Sequence, residues 1–174
     1  MRPMYSLSWI VLGWLSYLSF NAFFTRFGFE YIIPDCMVIV IAFVATRRNL
    51  LALVYVTCCL GYIVGRQALG PTGLHETALT LSGLSVYFAL GHLTVDNRFI
   101  FGLLSGVTVM GYHSFLFSLT WLFGAEAYFS SWATAILFPT GLLTAAIALL
   151  AYPLLEWFEG LVSVDKQEVF LSWR

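Results

Sequence analysis

The chain has 174 residues, of which 60% are hydrophobic and 10% charged, and its mean hydropathy is +0.88. A soluble domain carries roughly 25% charged residues, so these side chains are too few to cover a water-facing surface, and the composition excludes an ordinary soluble enzyme. The formal net charge of -1 supplies no general attraction to nucleic acid.

A membrane-spanning helix needs ~20 apolar residues, and the chain reads as one integral membrane domain of six such segments. The first, about 4–24, is closed by Thr25-Arg26. It is longer than a signal-peptide core and has no small-x-small cleavage site after it, so it reads as a retained helix. The second, about 31–46, has Pro34 and Asp35 near its start and ends in Arg47-Arg48-Asn49. Proline in a first helical turn removes only an N–H that has no partner there. The third, about 50–65, ends in Arg66-Gln67 and is followed by the turn Gly70-Pro71-Thr72-Gly73. The fourth, about 74–93, ends before Asp96-Asn97-Arg98; the fifth covers about 99–123 and the sixth about 132–155. The tail 160–174 is polar enough to leave the bilayer. Strands are excluded because the runs are continuously apolar, whereas a membrane barrel needs alternation. The expected fold is therefore an all-α six-transmembrane-helix bundle.

Basic residues orient it. With the N-terminus inside, Arg2, Arg47, Arg48, Arg98, Lys166 and Arg174 face the cytoplasm, against only Arg26 and Arg66 outside. Both termini are expected in the cytoplasm, and the membrane lipid is the first partner. Trp9, Trp121, Trp132 and Trp157 fall near segment ends, where indole rings settle at the interface; Trp14 lies deeper.

No nucleotide loop, nucleophile elbow, zinc helix or dinucleotide glycine pattern is present in the sequence. Cys36, Cys58 and Cys59 lack metal spacing, and their apolar settings read as buried small side chains. No metal, cofactor or catalytic residue is expected. His75, His92 and His113 are scattered. Only His113 sits mid-segment, where a polar residue is either functional or a packing hydrogen-bonder; an intramembrane enzyme would need a second titratable group beside it, and none is evident at that depth. Gly61/Gly65 and Gly102/Gly106 are G-x-x-x-G pairs, with Gly141 and Ala145 at the same spacing. Each puts small residues on one helix face, for close packing inside the bundle or for a partner's helix. At the outer ends of the segments, Asp35, Arg66, His75 and Glu76 form a candidate polar rim, with Glu126 in the outer loop beyond the fifth segment. Arg66 is expected to pair with Asp35 or Glu76.

Two stretches resemble the bacterial rod-shape-determining protein family MreD. One is Pro34-Asp35 followed by an apolar helix ending in Arg47-Arg48. The other runs Gly61-x-x-x-Gly65-x-x-x-x-Gly70-Pro71-Thr72-Gly73-Leu74-His75-x-x-Ala78-Leu79. The similarity covers segments two to four; elsewhere it is one of hydropathy. Many members carry an acidic residue late in the third segment, where this chain has Gly65-Arg66. The resemblance implies a non-enzymatic scaffold of the cell-elongation and peptidoglycan-synthesis machinery in the bacterial inner membrane. It would bind the single-span protein MreC and help link MreB filaments to RodA and its transpeptidase partner. It also implies a fold related to the substrate-binding subunits of energy-coupling-factor transporters, which leaves a small-molecule-binding transport subunit as the alternative.

Overall fold

The computed structural model describes residues 3–28, 33–47, 49–67, 73–90, 95, 97–123 and 131–163. Arg2, Arg48, the Gly70–Thr72 part of the turn, His92, Asp96, Glu126, Lys166 and Arg174 lie outside the described residues, as does the side chain of Trp132.

Among the described residues six helices run in chain order: α1 Pro3–Arg26, α2 Cys36–Thr46, α3 Leu50–Gln67, α4 Leu74–Ala89, α5 Arg98–Leu122 and α6 Ser131–Ser163. Four are long and apolar enough to cross a membrane: Met4–Arg26, Leu50–Gln67, Arg98–Leu122 and Leu137–Val162. That fits a membrane protein. The second and fourth helices are shorter than the sequence suggested. α2 has only 11 residues, about 16 Å at ~1.5 Å per residue, against a hydrocarbon thickness of ~30 Å. α4 has 16 residues. α6 runs the other way, continuing past residue 155 to Ser163, so the start of the expected tail is helical. It carries Pro139 and Pro153 within its length, which membrane helices tolerate.

The short α2 is the core. It packs against each of the other five helices, while α1, α3, α4, α5 and α6 touch in that order and close a ring around it. The α1–α6 seam is the thinnest in the ring. Every residue from Cys36 to Ala45 is buried. A helix apolar on all sides belongs in such a position, because it has no face to offer water, and an apolar run of 10–14 residues reads as a buried core helix rather than a span. Asp35 starts α2 and Arg47 ends it.

Phe43 is the centre of an aromatic cluster that ties four helices together. Its ring lies 5.2 Å from Trp9 of α1, 5.9 Å from Phe101 of α5 and 6.2 Å from Tyr152 of α6. Trp9 also meets Phe158 at 5.1 Å. Trp9 is 0% exposed, which corrects its reading as an interface anchor: it is a core residue. Trp121 and Trp157 keep exposed rings, at 73% and 66%. At the same end Arg47 pairs with Glu159 and lies 4.6 Å from the Phe43 ring centroid. The start of α1, the ends of α2 and α6 and the start of α5 therefore share one end of the bundle.

The glycines set the closest helix contacts. A Cβ on Gly102 would stand 2.7 Å from Leu149 Cγ and 3.0 Å from the Ala145 carbonyl oxygen, and one on Gly106 2.9 Å from the Gly141 carbonyl oxygen. α5 and α6 thus meet backbone to backbone through Gly102, Gly106, Gly141 and Ala145. Hydrogen bonds add to this packing: Ser82 Oγ donates to the Thr108 carbonyl at 3.0 Å, and Thr80 Oγ1 to Thr57 Oγ1 at 3.2 Å. Where both helix surface and surroundings are apolar, close packing and such bonds hold helices together.

Candidate functional site: a polar cluster at the start of the central helix

Because α2 is short, its first turn lies inside the bundle rather than at a rim. Asp35 caps it. The Asp35 carboxylate accepts from Val38 N at 3.4 Å, and its backbone N–H donates to Thr144 Oγ1 of α6 at 3.1 Å. The neighbouring α4 starts at a similar level from Gly73, whose φ of +96° is the left-handed conformation that glycine adopts freely. The first turn of α4 presents His75 and Glu76. His75 Nδ1 shares a hydrogen bond of 2.8 Å with the hydroxyl of Tyr112 on α5.

Gly61 permits this arrangement. A Cβ there would stand 2.5 Å from Glu76 Cα and 2.9 Å from Glu76 N, so only glycine lets the first turn of α4 rest on α3. Gly65, one turn on, faces the Glu76 carboxylate at 3.3 Å from its hypothetical Cβ. Glu76 Oε2 is buried and has no hydrogen-bond partner among the described residues. Its position in a first helical turn suits the helix dipole.

Electrostatics extends the cluster. Asp35 lies within charge–charge reach of His113 on α5 and of His75 on α4, and His75 also feels Glu76. Tyr17 of α1 and Tyr112 both feel Asp35. Thus Asp35, His75, Tyr112, His113, Tyr17 and Thr144 converge from α2, α4, α5, α1 and α6, while Glu76, next to His75 in the chain, lies against Gly61 and Gly65 of α3.

The structure therefore brings together two residues of the expected rim, Asp35 and His75; Glu76 follows His75 but lies against Gly61 and Gly65 of α3, and the fourth stands apart. Arg66 is exposed, its guanidinium stands 6.0 Å from the Tyr62 ring centroid, and among the described residues it forms no ion pair with Asp35 or Glu76. The expected Arg66 pairing is corrected: position 66 is directed away from the α3 face that carries Gly61 and Gly65. His113, read from sequence as lacking a titratable neighbour, has Asp35. Tyr112, Tyr17 and Thr144 were missed altogether, because each lies in an apolar run and nothing in the spacing shows which face turns towards α2. Among the described residues no group of three or more His, Cys, Asp or Glu side chains is arranged to hold a metal ion.

Removing the cap should have a measurable and modest effect. Asp35→Ala is expected to cost about 1 kcal/mol of stability, the usual cost of losing an N-cap, while Asp35→Asn, which caps as well, should retain most of it. Unfolding of the two variants in detergent, followed by circular dichroism, checks the difference.

Comparison with protein-family models, curated proteins and solved structures finds no match to this chain.

Proposed function

We propose that the chain is a non-enzymatic membrane scaffold of the MreD type, acting in cell elongation and peptidoglycan synthesis. It would sit in the bacterial inner membrane with both termini in the cytoplasm, bind a single-span MreC-like protein, and help connect MreB filaments to RodA and its transpeptidase partner. One observation carries the reading: the residues of the resemblance build a single packing unit. Asp35 caps the central helix, Gly61 admits the first turn of α4, and Ala78 and Leu79 are buried behind it. Residues that lock helices together suit a protein that works by presenting rigid surfaces. The shared end of α1, α2 and α6 supports placing both chain ends on one side, and the six-to-two distribution of basic residues supports calling that side cytoplasmic.

The second reading is a small-molecule-binding transport subunit. The convergence of Asp35, His75 and His113 favours it, because ligand sites combine a few placed polar groups with an apolar lining. Affinity capture in mild detergent followed by mass spectrometry separates the two. Recovery of MreC-like and RodA-like proteins supports the scaffold; recovery of an ATPase module with its coupling subunit overturns it.

A further inference from the structure

The five helices of the ring are unequal in length, and the two shortest stand side by side. α3 has 18 residues and α4 has 16, about 27 and 24 Å at ~1.5 Å per residue. α5 has 25 residues, and the apolar stretch of α6 from Leu137 to Val162 has 26, about 38 and 39 Å. A hydrocarbon layer is ~30 Å thick, and a helix longer than this fits by tilting. A shorter one has no such freedom. α2 escapes the problem because other helices cover it. α3 and α4 do not: Leu51, Tyr55 and Tyr62 of α3 and Leu81 and Phe88 of α4 are exposed.

Polar groups mark both ends of this short side. Asn49 caps α3, its Oδ1 accepting from Ala52 N at 3.1 Å, and exposed Arg66 and Gln67 close it. α4 opens at Gly73, with His75, Glu76 and exposed Thr77 in its first turn, and closes at Leu90. The direction of Arg66 adds to this. A cationic side chain set too deep in hydrocarbon stretches towards the headgroups. The Arg66 guanidinium instead folds back towards Tyr62, one turn nearer the middle of α3, and lies 6.0 Å from that ring's centroid.

We propose that the α3–α4 side is a surface for thinned lipid, with an acyl layer of about 25 Å there and headgroups at the level of Tyr62, Arg66 and Thr77. The long α5 and α6 meet the bilayer by tilting. A short face relieves mismatch by thinning the bilayer, by snorkelling or by self-association. The direction of Arg66 argues against snorkelling. The small residues of α3 argue against self-association. Gly61 and Gly65 turn inwards to α4, and the outward face carries bulky Tyr55 and Tyr62, whereas membrane helices pair through small residues. Tyrosine near a helix end suits the headgroup layer. The inference rests on the chain being a membrane protein and not on the scaffold role.

The test reconstitutes the full chain in phosphatidylcholine vesicles whose acyl chains lengthen from dimyristoleoyl through dipalmitoleoyl and dioleoyl to dierucoyl. Thermal unfolding and chemical cross-linking are read in each. The unfolding midpoint is expected to be highest in dipalmitoleoyl or thinner bilayers and lower by at least about 5 °C in dierucoyl lipid, with no new cross-linked species in the thicker bilayers. Arg66→Leu, which lengthens the apolar height of α3, should move the maximum to a thicker bilayer; Arg26→Leu at the end of the longer α1 should not. If Arg66→Leu does not fold, Gln67→Leu carries the same expectation. A maximum in dioleoyl or dierucoyl lipid, a maximum unmoved by the α3 variant, or cross-linked dimers that form as the bilayer thickens overturns the inference.

Discussion

Gly61→Ala is expected to destabilise the protein by about 2 kcal/mol, whereas Gly111→Ala on α5 should be neutral or slightly stabilising. Both substitutions add one methyl group to a helical glycine. At Gly61 that methyl meets backbone, Glu76 Cα at 2.5 Å and the His75 carbonyl carbon at 3.1 Å. No side-chain rotation relieves such a contact, so the first turn of α4 must lift away from α3. At Gly111 the nearest atom is Ser82 Oγ at 3.9 Å, which is ordinary contact. Overpacking a close interface typically costs 1–3 kcal/mol, and alanine regains ~1 kcal/mol of helix propensity where space allows. Unfolding in mixed micelles, with both variants in parallel, separates the two outcomes. Equal behaviour would mean that α4 does not rest on Gly61. The change should also disturb the cluster around His75 and Glu76, since both side chains leave from the displaced turn.

The second large effect is expected at Phe43. Phe43→Ala should cost about 3 kcal/mol, and Leu103→Ala on the outward face of α5 less than about 0.5 kcal/mol. Phe43 is fully buried and its ring contacts aromatic groups on α1, α5 and α6, whereas Leu103 is 70% exposed. In lipid the transfer part of a large-to-small penalty is reduced, because the unfolded reference is also in hydrocarbon. The lost contacts and the cavity remain. A ratio near unity between the two variants would place Phe43 on a lipid-facing surface.

These two positions also mark how far the sequence could be read. Six helical segments were legible because hydrocarbon forces apolar runs to be helical. Their boundaries near 46, 50, 67 and 74 were legible from Arg47, Asn49, Arg66 and the glycine turn. The role of α2 was not. Its residues look like those of a span, and hydropathy cannot separate a helix covered by lipid from one covered by other helices. The clue lay in its length once Pro34 and Asp35 are taken as its start. Glycine spacing pointed to close approaches at Gly61 and at Gly102 and Gly106, but it could not name the opposing helices. For the polar cluster, Asp35, His75 and Glu76 could be named because charged residues stand out in apolar sequence. The error at Arg66 came from grouping residues by chain position near segment ends. Helical rotation decides instead: Gly61 and Gly65 face α4, and the next residue turns outward. Tyr17, Tyr112 and Thr144 became visible only when the ring of helices was closed around α2.

The arrangement of one short helix inside a ring of five is the claim on which the rest depends, since it places Asp35 inside the bundle. Labelling with a lipid-soluble diazirine in bilayers, followed by peptide mass spectrometry, tests it most directly. Residues 36–45 should remain unlabelled, while the outward positions of α1, α3 and α5, among them Leu7, Tyr55 and Leu103, are modified. Labelling of residues 36–45 at the level seen on α1 would contradict the account.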